Sequence, residues 1–147
     1  MDYSFHYLLL ASQGLFQKKI MSELSECGLT AGQPKILDYL GLHDGSVQKD
    51  IALACQIEPA TLTGLLSRME GKGLILRRSE NSNRKSIHVY LTPEGKEKQR
   101  RVLAAFDELE KRILRICPRR NRKNLRTVFI KSVSYTHLRA HETRRHL

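Results

Sequence analysis

The chain has 147 residues, enough for one domain with helical extensions and a real hydrophobic core. Its 26 Lys and Arg outweigh 15 Asp and Glu, and the net charge of +11 favours a polyanionic partner, whether DNA, ribosomal RNA or an anionic membrane surface. Three widely spaced cysteines (Cys27, Cys55, Cys117) exclude a disulfide framework or paired metal site, and no apolar run reaches bilayer-spanning length, so the chain reads as cytoplasmic.

From about Ser4 to Glu26 a proline-free stretch carries Phe5, Leu8, Leu9, Leu15, Phe16, Ile20 and Leu24, which predicts a long first helix ended by Cys27-Gly28. Thr30 reads as the cap of a second helix with Ile36, Leu37 and Leu40 inward and Pro34 at its fourth position, where only the first intrahelical bond is forfeited. Asp44-Gly45 is a turn. Ser46 then reads as the cap of a short helix with Val47, Ile51, Ala54 and Cys55 inward, followed by a Gln56-Ile57 connector.

The next segment is the most informative. Pro59 suits a first helical position because its missing N–H would have had no partner there, and Gly73 suits the left-handed stop after Lys72. Leu62, Leu65, Leu66 and Met69 fall at i, i+3, i+4 and i+7, one buried helical face. Ala60, Thr61, Thr63, Gly64, Ser67 and Arg68 are left facing outward, small, hydroxylated or cationic, as a helix entering a DNA groove requires. Two short helices joined by a tight turn, the second with such a face, form the helix-turn-helix pattern. The bland alternative is an ordinary amphipathic core helix.

Residues 74–78 and 87–91 are rich in β-formers and flank the polar, basic stretch 79–86, a two-stranded hairpin that makes a wing. Thr92-Pro93-Glu94 restarts a helix with a cap, a proline and a carboxylate near the positive dipole end. Along it Val102, Phe106, Leu109, Ile113 and Ile116 repeat every 3.5 residues on average, a dimerisation or packing seam, until Pro118 breaks the helix near Cys117. A short helix around Leu125, Val128 and Phe129 follows.

Charge placement supports the wing and helix. Residues 1–67 have four basic and seven acidic side chains, whereas residues 68–101 have ten basic and four acidic. Residues 111–131 hold nine basic and no acidic side chains, a solvated face or an added phosphate contact.

The order of Gly28-Leu29-Thr30, Gln33, the helix-turn-helix of 46–70, Gly71-Lys72-Gly73-Leu74-Ile75, the wing and Leu91-Thr92-x-x-Gly95 resembles the MarR family of bacterial winged helix-turn-helix transcription regulators. The resemblance covers roughly the first 130 residues. It implies a mainly α fold with a two-stranded β-wing, a DNA-binding core at about 30–92, and dimerisation helices at about 4–26 and 93–131. It further implies a homodimer on a pseudo-palindromic DNA operator, usually a repressor, released by a small aromatic or lipophilic effector or an oxidant at a site between dimer and DNA-binding regions. Carried over by position, Ala60, Thr61, Thr63 and Gly64 would read bases and Arg68 would lie near the backbone.

At the wing tip Asn83-Arg84-Lys85 stands where the family usually has Asp-x-Arg, so Asn83 cannot form the ionic brace and Lys85 lacks the planar fork. The resemblance still gives Lys85 a minor-groove role, in weakened form, and Arg84 is expected to share it. Gly64 replaces a longer side chain and Ser67 a usual Asp, so few bases are expected to be read directly. Residues 132–147 resemble translated sequencing-adapter read-through and are assigned no native function, including the i, i+4 pair His137 and His141.

No Gly-rich phosphate loop, His-Glu-x-x-His pair or nucleophile elbow is present, so no enzyme, cofactor or metal is expected. Cys55 reads as core, while arginines around Cys117 would favour a thiolate. Tyr3, His6 and Tyr7 are open to two readings, a ligand pocket or amphipathic packing. The other function class open to so basic a chain is a non-specific polyanion binder, for RNA or the ribosome, and a membrane-surface helix is a third.

Overall fold

The computed structural model describes residues 2–79 and 86–143, with side chains to Lys131. In chain order the elements are α1 (Phe5–Glu23), a 3-10 turn (Ser25–Cys27), α2 (Gln33–Leu42), β1 (Ser46–Val47), α3 (Gln48–Cys55), α4 (Pro59–Gly71), β2 (Ile75–Ser79), β3 (Ile87–Leu91), α5 (Pro93–Arg115) and α6 (Arg119–Thr143). Two compact units divide the chain, Met1–Asp107 and Glu108–Leu147. No helix among the described residues is long and apolar enough to cross a membrane.

The core of the first unit is built from one face of each short helix. Ile36, Leu37 and Leu40 of α2, Ile51 and Cys55 of α3, and Leu62, Leu65, Leu66 and Met69 of α4 are buried together with Leu74, Ile75, Val89, Leu91 and Val102. Burying a side chain of this size contributes roughly 1.5–3 kcal/mol, so this layer is the main energetic support that holds α4 against the core. Ala52, not Ala54, completes the buried face of α3, and Ala54 is exposed.

Two starts differ from expectation. Gly32, at φ 88°, is the cap of α2 in place of Thr30, because the loop closes on itself through Gln33. The buried Gln33 side chain accepts from the Thr30 N–H through Oε1 at 2.9 Å, while the Gln33 backbone N–H donates to the Thr30 carbonyl at 3.1 Å. Pro34 consequently falls at the second helical position, where its missing N–H forfeits nothing.

Ser46 does not cap α3 with its side chain. Ser46 and Val47 pair antiparallel with Val89 and His88, so the sheet has three strands in the order β1-β3-β2. The expected hairpin is present in register from Ile75↔Leu91 to Ser79↔Ile87, and the extra strand occupies the open edge of β3. The Ser46 hydroxyl instead donates to the His43 carbonyl at 2.7 Å.

The hairpin is joined to α5 by a close backbone contact. Thr92 donates its hydroxyl to the Gly73 carbonyl at 2.6 Å and accepts the Gly95 N–H at 2.9 Å, while its backbone N–H reaches the Leu74 carbonyl at 3.1 Å. A Cβ at Gly95 would stand 1.9 Å from the Leu74 oxygen, so only glycine permits this approach.

The helical parts differ in how far they are covered. In α1 only Ile20 is buried, and Phe5, Tyr7, Leu8, Leu9, Leu10 and Leu15 lie exposed around its circumference. Tyr3 stacks on Tyr7 at 5.0 Å and the Ser4 hydroxyl meets the His6 ring, an exposed cluster at the start of α1. Along the α5 seam Val102 is buried and Phe106 stacks on Phe16 at 6.1 Å, whereas Ile113 and Ile116 are exposed. The helix after Pro118 is not short but runs 25 residues.

Replacing Gly95 with Ala is expected to lower stability by about 1–3 kcal/mol through overpacking against the Leu74 carbonyl. Gly71→Ala, at an exposed position with nothing within 4 Å, should be neutral or gain less than about 1 kcal/mol. Urea unfolding of both variants checks the contrast.

Candidate nucleic-acid interface

The outward face of α4 is supported from beneath by its four buried residues and opened at its start by Pro59. Ala60, Thr61, Thr63, Ser67 and Arg68 are exposed and Gly64 is half-buried, so the six residues expected to face outward share one surface. Thr63 donates its hydroxyl to the Pro59 carbonyl at 2.9 Å, which leaves its methyl and its lone pairs available for an outside partner. The Arg68 side chain leans back along the helix: Nη1 lies 3.6 Å from where a Cβ of Gly64 would stand.

The far end of α4 is tied to the hairpin. The carboxylate of Glu70 accepts from the Arg77 backbone N–H at 3.1 Å, from Nε at 2.9 Å and from Nη2 at 2.5 Å. One carboxylate thereby fixes both the backbone, through Oε1, and the side chain, through Oε2, of Arg77 on β2 relative to the helix, with charge-assisted hydrogen bonds to the guanidinium. The Arg77 guanidinium hydrogen-bonded to Glu70 holds its carboxyl below the usual carboxylate range. This clamp links a helix to a strand seven residues on, and no sequence periodicity announces it.

Many of the basic side chains counted between 68 and 101 are engaged internally. Arg77 is held by Glu70, Lys72 donates to the Gly28 carbonyl, Lys98 lies 3.7 Å from Glu94, and Arg100 and Arg101 share Glu97. Arg68 and Arg78 are exposed with no ion-pair partner among the described residues. Arg78, on β2 opposite His88, was not singled out by sequence pattern. Asn83, Arg84 and Lys85 lie outside the described residues.

The hairpin is also pinned on its other side. The Leu91 N–H donates to Asp44 Oδ1 at 2.7 Å, and His88 Nδ1 lies 2.8 Å from the Gly45 carbonyl.

Behind the helix-turn-helix, still within the first unit, lies a cleft of about 460 Å³. Phe16, Ile20 and Met21 of α1, Pro34 of α2, Ile57 and Phe106 give it apolar walls, with Gln13, Gln17, Lys35 and Gln56 as the polar lining. Cys55 also contributes, and burial pushes its thiol up, away from the reactive thiolate. Gln56 makes the turn between α3 and α4 in a left-handed conformation, φ 53°, that side chains rarely adopt. Tyr3, His6 and Tyr7 do not line this cleft. Among the described residues no group of three or more His, Cys, Asp or Glu could hold a metal ion, and the His137 and His141 side chains lie outside the described ones.

Comparison with known proteins agrees with this architecture. A family model, that of the MarR family, matches residues 29–87. The chain is 32% identical over 108 residues to the HTH-type transcriptional repressor MdtR of Bacillus subtilis, covering 71% of this chain and 70% of that protein. It is 32% identical over 89 residues to the organic hydroperoxide resistance transcriptional regulator of the same organism, covering 60% of each. Among solved structures, the S. aureus MepR–DNA complex superposes with a TM-score of 0.84 at 25% identity, over 92% of this chain and 99% of that one.

The Glu70–Arg77 clamp yields a pH prediction. A carboxyl whose folded-state pKa is lowered stabilises the fold above its unfolded pKa, and that contribution is lost as pH falls through the lowered value. With a third of the Glu70 side chain open to solvent, the contribution is at most about 1 kcal/mol. Glu70→Gln should therefore unfold at lower urea than the parent at neutral pH and at nearly the same urea below the folded-state pKa.

Proposed function

The chain belongs to the MarR family, whose members are DNA-binding transcriptional regulators, and on that premise we propose that it is a homodimeric, ligand-responsive repressor of a pseudo-palindromic operator. The observation that carries the reading is the outward face of α4, held at a set angle to the wing by Glu70 and Arg77. In this reading Ala60, Thr61, Thr63 and Gly64 meet base edges in the major groove. Arg68 contacts phosphate, and Arg84 with Lys85, beside Asn83, reaches the neighbouring minor groove. Arg78, exposed on the same hairpin and without an ion-pair partner among the described residues, adds a phosphate contact.

Dimerisation is supported by α1, which exposes apolar side chains around its whole circumference. A helix of that kind is stable in water only when another surface covers it, and a second copy supplies an identical apolar helix. Two-fold symmetry then sets two half-sites about one helical turn, roughly 10 bp, apart. Ligand response is supported by the apolar cleft between α1 and the helix-turn-helix, whose volume suits a small aromatic or lipophilic molecule. A molecule seated there would press on both the α3–α4 turn and α1, and so bias the position of the reading helix.

Gel-shift competition tests the proposal. The protein should prefer its operator over bulk DNA or RNA by roughly 10³-fold or more at physiological salt. Thr61→Ala and Thr63→Ala should change which operator is preferred, whereas Arg84→Gln and Lys85→Gln should lower the salt slope by about 0.9 per lost phosphate contact. A lipophilic aromatic compound should release the parent complex and fail against Met21→Trp, which fills the cleft. Equal binding to all duplexes and RNAs, unchanged by the threonine variants, would contradict it and favour a non-specific polyanion binder.

A further inference from the structure

We propose that the cationic side of the second unit, from the last turn of α5 along α6, is a second nucleic-acid contact that holds duplex DNA by its phosphates without reading sequence. It goes beyond the role given to α4 and does not depend on it.

The basis is a contrast in how the cations are partnered. Along α5, Lys98, Arg100, Arg101 and Arg112 each face a glutamate three or four residues away, the ordinary state of an exposed charged helix. From Arg115 onward the pattern stops. Arg115, Arg119, Arg120, Lys123, Arg126 and Lys131 are exposed, and the charged group of none has an ion-pair or hydrogen-bond partner among the described residues. Arg122 differs, turning back to donate to the Leu114 carbonyl at 2.7 Å and the Cys117 carbonyl at 3.1 Å, where it caps the end of α5.

The arrangement works against the helix that bears it. The first turn of α6 has no acidic residue, so Arg119 and Arg120 sit beside the positive end of the helix dipole. Arg119 and Lys123 are also like charges at i, i+4, a destabilising pair on an isolated helix. Phosphates laid along this side would offset both costs.

Helical geometry gathers the cations. At 100° per residue, Arg119, Arg120, Lys123 and Arg126 fall within an arc of about 120°, while Leu125, Val128 and Phe129 cluster on the opposite side. Arg119 to Arg126 spans about 10 Å along the axis, room for about three successive phosphates of one strand. Guanidinium groups predominate, and their planar fork engages phosphate oxygens in pairs. An anionic bilayer would demand insertion of the apolar stripe, which is short, and Ile130 lies on the cationic side. A duplex demands only the cations.

The test uses the full chain and a short mixed-sequence duplex lacking the operator, read by fluorescence anisotropy through a salt series. Replacing Arg119, Lys123 and Arg126 together by Gln should reduce the slope of log affinity against log salt by about 2–3, at roughly 0.9 per contact. The same three positions as Lys should retain the slope, while Thr61→Ala with Thr63→Ala should lose operator preference and keep it. An unchanged slope in the Gln variant overturns the proposal. So does an equal fall in the Lys and Gln variants, which would mark a structural defect, or binding of phosphatidylglycerol vesicles at salt where the duplex is not bound.

Discussion

The three hydrogen bonds that Glu70 accepts from Arg77 set the relation on which the DNA-binding surface depends. In the proposed function the face of α4 and the adjoining wing enter neighbouring grooves of one duplex, which requires that they keep a constant angle. Hydrophobic burial beneath α4 fixes the depth of the helix, but apolar packing has no direction and tolerates sliding. A hydrogen-bonded carboxylate–guanidinium pair is directional, and here the second carboxylate oxygen also holds the strand backbone through the Arg77 N–H. The Leu74–Gly95 approach and the two hydrogen bonds of the Thr92 hydroxyl then lock the hairpin to the start of α5.

The same pair changes how the positive charge is to be understood. Summed along the sequence, the basic excess begins on α4 and continues downstream. In the folded chain Arg77, Lys72, Lys98, Arg100 and Arg101 are engaged with carbonyls or carboxylates. Among the described residues, Arg68 and Arg78 have no ion-pair partner, and neither does a separate set in the second unit. Net charge draws a polyanion in at long range, but it is the unpaired cations that can replace its counterions.

Much of this was legible in advance for a physical reason. The i, i+3, i+4, i+7 stripe of Leu62, Leu65, Leu66 and Met69 is strictly local, and all four are buried. Gly73 takes the left-handed conformation that its place after a helix suggested, and Thr92 with Pro93 starts α5 where cap chemistry placed it. What escaped were pairings between distant segments. Ser46-Val47 is too short for alternation to identify a strand, and its partner lies some forty residues on. The buried Gln33 side chain moved the α2 cap from Thr30 to Gly32, and Glu70–Arg77 has no sequence signal at all. The six-residue spread of the face from Ala60 to Arg68 was therefore visible before its anchor was, and the contribution of the wing tip rests on residues beyond those described.

The central claim is that α4 meets bases in the major groove from each half of a symmetric dimer. Methylation interference at guanine N7, which lies in that groove, tests it most directly on an operator fragment. The account predicts two interfering clusters on one face of the duplex, centred about one helical turn, roughly 10 bp, apart. Binding indifferent to N7 methylation, or a single cluster without its symmetric counterpart, would contradict it.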